Sequence, residues 1–128
     1  MIDKKVFVCD DNQSIVEIIE HVLMDYPDME VETETDSLNA IVHMEQERPD
    51  ILLVDLSMPG LPGDRLIRKV RQHDVLNHLF IICMSANVDG KEVAISAGAN
   101  LFLAKPFDIE ELIDAIYGFE TYEKGDYI

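Results

Sequence analysis

The sequence predicts a single α/β domain: five strand–helix units in strict succession, their strands paired in a parallel, doubly wound sheet. Two observations carry this. Short apolar runs alternate with stretches of helical periodicity from one end of the chain to the other. One of those runs, Ile51-Leu52-Leu53-Val54, is apolar without alternation, as a strand covered by helices on both faces must be. Strict strand–helix order over 128 residues then implies right-handed crossovers within one sheet. In such a fold, binding chemistry gathers at the carboxyl ends of the strands.

The first unit is a buried strand, Val6-Phe7-Val8-Cys9, followed by a helix. Its apolar residues Ile15, Ile18, Ile19, Val22 and Leu23 recur at i, i+3, i+4, i+7 and i+8. Ser14 and Glu17 have the spacing of a capping box, with Asn12 as the alternative cap, and Pro27 lies beyond the helix. In the second strand, residues 30–35, Glu30, Glu32 and Glu34 share one face, which places it at a sheet edge where charge deters pairing between chains. Asp36 is placed to cap a helix bearing Leu38, Ile41 and Val42.

After Ile51–Val54, a loop with Pro59, Gly60, Pro62 and Gly63 leads into a helix burying Leu66, Ile67 and Val70. Its Arg65, Arg68, Lys69 and Arg71 read as a solvated basic face. Residues 79–84 form the fourth strand. A weak helix over 89–97 follows, its apolar residues small or poorly segregated, and Gly98 suits its C-terminal end. Leu101-Phe102-Leu103-Ala104 is the fifth strand. Asp108 and Glu111 cap a last helix carrying Ile109, Leu112, Ile113 and Ile116.

Composition excludes several classes of partner. Ten basic against 26 acidic residues give a formal charge of −16. A nucleic-acid backbone or an anionic membrane would be repelled rather than bound. No apolar run approaches the ~20 residues needed to span a bilayer. The start, Met1-Ile2-Asp3-Lys4-Lys5, lacks a secretory apolar stretch, so a cytoplasmic address is expected. Cys9 and Cys83 lie inside apolar runs and read as buried, reduced thiols. His21, His43, His73 and His78 are scattered, with no pair at metal-ligand spacing.

The strand ends carry the chemistry. Strand one ends in Asp10-Asp11, strand three in Asp55, strand four in Ser85, and strand five leads to Lys105-Pro106. Each has an ordinary explanation alone, as a turn, cap or surface residue, but a parallel sheet opens all of them on one edge. Two carboxylates ~4 Å apart near a surface repel by about 4 kcal/mol, so three together need a cation or raised pKa values. Mg²⁺ suits such a site, because it takes one or two carboxylates and leaves room for a phosphate oxygen. A metal-bound carboxylate facing an ammonium and a hydroxyl fits phosphoryl transfer, with Asp55 as nucleophile. Neither G-x-x-x-x-G-K-[ST] nor G-x-G-x-x-G is present, so the phosphoryl donor must come from elsewhere.

The set Asp10-Asp11, Asp55-Leu56-Ser57-Met58-Pro59-Gly60 with Gly63, Ser85-Ala86 and Lys105-Pro106 resembles the receiver domain of bacterial two-component response regulators (CheY-like), from Lys4 to about Phe119. The resemblance implies a flavodoxin-like (βα)5 domain with strand order 2-1-3-4-5 and helices on both faces. It implies a signalling phosphoacceptor rather than an enzyme: Asp55 takes a phosphoryl group from a phosphohistidine of a sensor histidine kinase or histidine phosphotransfer protein, or from acetyl phosphate. Phosphorylation would be self-catalysed and Mg²⁺-dependent, with slow autodephosphorylation, and Mn²⁺ could substitute.

Asp11, Asp55 and the backbone carbonyl of Ser57 would hold the metal, with Asp10 acting mainly through water. Lys105, Ser85 and the Ala86 N–H would contact the phosphoryl group, and the bond before Pro106 would be cis. Ser85 and Phe102 would switch together, changing the face formed by the 89–97 helix, the fifth strand and the last helix. A partner, an output domain or a second copy would read that face. Ser85 stands where Thr is more frequent, and Ser57 and Asn87 occupy positions that tune water access, which leaves the lifetime of the phosphorylated state open. Residues 1–120 are expected to form the receiver and 121–128 a short tail, with no output domain in this chain.

Two other classes fit less well. A haloacid-dehalogenase phosphatase wants a second Asp two residues after the nucleophile, where this chain has Ser57. A flavodoxin-like flavin carrier wants a hydroxyl- and glycine-rich loop after strand one, where Asp10-Asp11 would repel the flavin phosphate.

Overall fold

Strands and helices alternate as β1 (Lys4–Cys9), α1 (Gln13–Leu23), β2 (Met29–Glu34), a 3₁₀ turn (Ser37–Asn39), α2 (Ala40–Glu47), β3 (Ile51–Asp55), α3 (Gly63–Gln72), β4 (Phe80–Ser85), α4 (Gly90–Ala97), β5 (Leu101–Ala104) and α5 (Ile109–Lys124). The computed structural model describes residues 3–124. All strand pairs are parallel, and the sheet order is β2-β1-β3-β4-β5. The glutamate-rich strand is at the edge and β3 at the centre, with all five of its residues buried.

Because successive strand side chains face opposite ways, the sheet has two cores. Phe7, Cys9, Leu52, Val54, Ile81 and Cys83 pack under α2, α3 and α4. Val6, Val8, Ile51, Leu53, Ile82 and Met84 pack under α1 and α5. Burial pushes both thiols up to about 12, so Cys9 and Cys83 remain protonated core residues.

Several local readings need correction. α1 buries Val16, Ile19 and Leu23, while Ile18 is 60% exposed. Five aliphatics at helical spacing left the stripe free to rotate by one position, and packing chose Val16. α1 is capped by Asn12, whose side chain accepts Ile15 N–H, and not by the Ser14–Glu17 pair. α2 buries Ala40 and Met44, leaving Leu38 and Val42 exposed, because Asp36 caps the 3₁₀ turn and the α-helix starts later than the apolar spacing implied. Arg71 is not part of a solvated face. Its guanidinium donates to the carbonyls of Asn77, Leu79 and Gly98 and to Asn100 Oδ1, clamping the ends of α3 and α4 to β4. By contrast, Asp108 and Glu111 form the expected reciprocal cap, and Gly98 closes α4 at φ 123°.

The edge glutamates are themselves paired. Glu30 and Glu47 meet Lys5 at 3.2 and 2.7 Å, and His43 sits between Glu34 (2.9 Å) and Glu32 (3.4 Å). Nothing in the sequence pattern marks Lys4, yet its side chain is 1% exposed. It bonds Asp28 at 2.9 Å, reaches Glu120 at 3.4 Å and lies 4.8 Å from the Tyr117 ring centroid. The bond to Lys4 holds the Asp28 carboxyl below its ordinary value. Stability from a depressed carboxyl is present above the unfolded pKa and is lost as pH falls through the folded one. Asp28→Asn is therefore expected to cost about 1–2 kcal/mol in urea unfolding at pH 7. The difference from wild type should shrink below pH 4, and a pH-independent difference would refute the ionic origin.

Candidate functional site

Four of the five strands, β1, β3, β4 and β5, end at polar groups on the same edge. Asp10 directly follows β1 and its N–H bonds the Glu34 carbonyl. Asp55 ends β3, and the chain is held on course by Leu56 N–H to the Met84 carbonyl. The loop beyond it turns at Gly60, whose φ is 79°, and is anchored by the buried Ser37. The Ser37 hydroxyl donates to the Pro59 carbonyl and accepts Leu61 N–H, both at 2.9 Å. Gly63 then starts α3 against the backbone of Asp55 and Leu56. Lys105 N–H bonds the Ser85 carbonyl, and the Lys105–Pro106 bond is cis.

One carboxylate oxygen from each of Asp10, Asp11 and Asp55 lies within 4.8 Å of the others. Lys105 Nζ reaches Asp10 Oδ2 at 3.0 Å and Asp55 Oδ1 at 3.2 Å, while Asp10 Oδ1 accepts Asn12 N–H. Burial, then the neighbouring Asp10 charge, raises the Asp55 pKa, and Lys105 only partly opposes this. For Lys105, burial works against the charge, but the bonds to Asp10 and Asp55 outweigh it and its pKa is raised. Three carboxylates against one ammonium leave an excess of negative charge on hard oxygen donors, a donor set that fits Mg²⁺ rather than a soft metal.

Ser85 is 2% exposed and its hydroxyl accepts Asn87 N–H at 3.0 Å. Ala86 is exposed beside it, and Ser57 is exposed two residues beyond Asp55. Phe102 on β5 is half-buried against the α2–α4 core, which Leu56 also borders. An apolar recess of about 350 Å³ opens next to Lys105, lined by Ile15, Ile18, Ile19, Ala86, Pro106 and Phe107. The exposed Ile18 is one wall of it. A second convergent group, Glu32, His43 and Glu47, lies at the sheet edge, where Lys5 already holds Glu47. Sequence spacing did not reveal that Asn12 N–H holds Asp10 or that Ser37 anchors the loop after Asp55. Their roles depend on loop bonds and close approaches that become visible only once the loops are folded.

Fold and site define a class: doubly wound α/β domains with a carboxylate cluster, a hydroxyl and a lysine at the strand ends. The chain belongs to the response regulator receiver domain family, whose model matches residues 6–117. It is thus a receiver domain of the two-component response regulators. The transcriptional regulatory protein KdpE of Staphylococcus aureus is 30% identical over 124 residues, 94% of this chain and 52% of that protein. TrcR of Mycobacterium tuberculosis, also a transcriptional regulatory protein, is 27% identical over 114 residues, 89% of this chain and 44% of that one. The chain therefore spans about half the length of the curated relatives it matches. Among solved structures, the chemotaxis response regulator CheY4 of Vibrio cholerae superposes with a TM-score of 0.84 at 27% identity, covering 93% of this chain and 99% of that one. The receiver domain of the Pseudomonas aeruginosa sensor histidine kinase PA1611 was solved with magnesium coordinated in its active-site cleft. It superposes with a TM-score of 0.82 at 28% identity, covering 91% and 96%. No helix among the described residues is long and apolar enough to cross a membrane.

Proposed function

We propose that Asp55 is the phosphoacceptor of this receiver, taking its phosphoryl group from the phosphohistidine of a sensor histidine kinase or histidine phosphotransfer protein. The observation that carries this is the meeting of Asp10, Asp11 and Asp55 in one cluster with Lys105 bonded to Asp55. An Asp55 carboxylate oxygen attacks phosphorus as the P–N bond breaks, and the bonding pair returns to the imidazole nitrogen, which takes up a proton. Lys105 offsets part of the upward push that burial and the Asp10 charge exert on the Asp55 carboxyl, and its ammonium can follow charge onto the phosphoryl oxygens. Asp10, Asp11, Asp55 and the Ser57 carbonyl would hold Mg²⁺, or Mn²⁺ in its place; when bound it neutralises phosphoryl charge. The apolar recess beside Lys105 offers a donor protein a seat within reach of Asp55.

In this reading the Ser85 hydroxyl and the Ala86 N–H bind phosphoryl oxygens, and Phe102 moves inward as Ser85 shifts. The face of α4, β5 and α5 is then read by a partner, an output domain or a second copy of the chain. Exposed Val93, Ile95 and Leu101 on that face support such a contact. The receiver comprises residues 1–120, with α5 running on through Lys124, and acts in the cytoplasm as a signalling phosphoacceptor, without touching nucleic acid or membrane itself. It catalyses its own phosphorylation and slowly loses the group to water.

Incubation with acetyl phosphate and Mg²⁺ is expected to add one acid-labile phosphoryl group, read by intact mass, and Asp55→Asn should take up none. Labelling that persists in that variant would overturn the assignment.

A further inference from the structure

Gly90 opens α4, and nothing in its backbone asks for glycine. Positive φ among the described glycines occurs only at Gly60 and Gly98. In a helix, alanine is the better former. What glycine supplies here is space. A Cβ at position 90 would stand 2.6 Å from Leu56 Cδ2 and 3.2 Å from Ser85 Oγ. These neighbours are the residue directly after Asp55 and the hydroxyl that the proposed function sets in motion.

The same hydroxyl is tied to the loop that Gly90 closes. Ser85 Oγ accepts Asn87 N–H at 3.0 Å, the Asn87 carbonyl accepts Gly90 N–H at 2.9 Å, and Asn87 Oδ1 accepts Asp89 N–H at 2.9 Å. Asp89 makes no side-chain cap bond to α4, so close packing against Ser85 and Leu56 and this short chain of loop bonds together seat the helix start.

We propose that Gly90 is a positioning residue that sets the resting state of the switch. Its bare Cα lets the first turn of α4 close over Ser85, holding the hydroxyl in the loop and away from the phosphoryl position. The inference rests on the receiver reading and adds to it the element that biases Ser85 before phosphorylation. A methyl group at position 90 opposes only the closed arrangement. Leu56 Cδ2 is the tip of a flexible side chain and can turn aside, whereas Ser85 Oγ can yield only by loosening its bond to the loop. The closed state rises in energy relative to one in which the turn has moved off, and the population shifts toward the latter.

Acetyl phosphate labelling of wild type, Gly90→Ala, Ser85→Ala and the double variant, at saturating Mg²⁺, tests this. Gly90→Ala is expected to label faster, on the order of fivefold, with a Tm at or slightly below wild type, because the helix preference for alanine offsets the raised energy of the closed state. In the Ser85→Ala background the substitution at 90 should change nothing, because there is no hydroxyl left to release. Gly90→Ala labelling within twofold of wild type, or more slowly, overturns the proposal, as does an equal acceleration in the Ser85→Ala background. Should Gly90→Ala fold poorly, the comparison is made between Leu56→Ala and Leu56→Ala/Gly90→Ala, where the tighter contact is absent, and the same outcomes decide. Wild-type protein that takes no label at Asp55 refutes the receiver function itself, a result distinct from any of these.

Discussion

Gly63→Ala is expected to abolish labelling of Asp55 and to lower stability by about 3 kcal/mol, the upper range for a forced overpacking. A Cβ at position 63 would run into the carbonyl oxygen of Asp55 and stand 2.7 Å from Leu56 Cα and 3.0 Å from the Asp55 carbonyl carbon. All three obstacles are backbone, and none can rotate aside. Gly63 N–H is also bonded to the Leu56 carbonyl at 2.9 Å, so α3 is fastened to the residue it would have to leave. Relief requires either that Asp55 shift or that α3 lift Leu66, Ile67 and Val70 out of the core. The first misplaces the carboxylate from Lys105, and the second is the larger part of the stability loss. Backbone strain is not involved, since Gly63 is not among the positive-φ residues. Urea unfolding and acetyl phosphate labelling measure the two consequences separately. A variant of wild-type stability that labels at the wild-type rate would show that α3 can slide over Asp55 without moving it.

The contrast between Gly63 and Gly90 bears on what was legible before folding. Strand ends were legible because each apolar run stops at a polar residue, and a parallel sheet puts every such stop on one edge. Asp10, Asp11, Asp55, Ser85 and Lys105 could therefore be named together, and the edge position of β2 followed from Glu30, Glu32 and Glu34. Helix faces were less legible. Periodicity tells that α1 is amphipathic, but with Ile15, Val16, Ile18 and Ile19 all apolar it cannot say which line faces the sheet. Charge was read as solvation by default, which hid Arg71 bonding three carbonyls and Lys4 packed against Tyr117. Close approaches are the least legible of all: a glycine that admits a neighbour looks in sequence like one that admits a turn.

Asp11→Asn is expected to raise Tm in EDTA by about 3–5 °C and to reverse that order as Mg²⁺ is added. The three site acids are not equivalent. Asp10 is held by Asn12 N–H and Lys105, and Asp55 by Lys105, whereas Asp11 is exposed and has no hydrogen-bond or ion-pair partner among the described residues. Replacing it removes repulsion and breaks no bond. The metal-free wild type should also show this repulsion in its pH dependence. Burial first, and then the Asp10 charge, raise the Asp55 pKa above its ordinary 3.8, with Asp11 a smaller contributor. A group whose pKa is raised on folding contributes stability that is fully present below the unfolded value and is lost as pH rises through the folded one. In EDTA the contribution of Asp55 to stability should therefore fall as pH rises above about 4, and Asp11→Asn should lose less of it, which the difference between the two unfolding curves across pH measures. Mg²⁺ acts in the opposite sense, because binding to the folded state alone stabilises by RT ln(1 + [Mg²⁺]/Kd), about 1.4 kcal/mol at tenfold excess over Kd. The variant has given up a ligand and gains less from each increment of metal, so the two melting curves should cross in a Mg²⁺ titration. A variant no more stable than wild type in EDTA would mean that Lys105 and solvent already neutralise the cluster, and the need for a cation at this edge would lose its electrostatic basis.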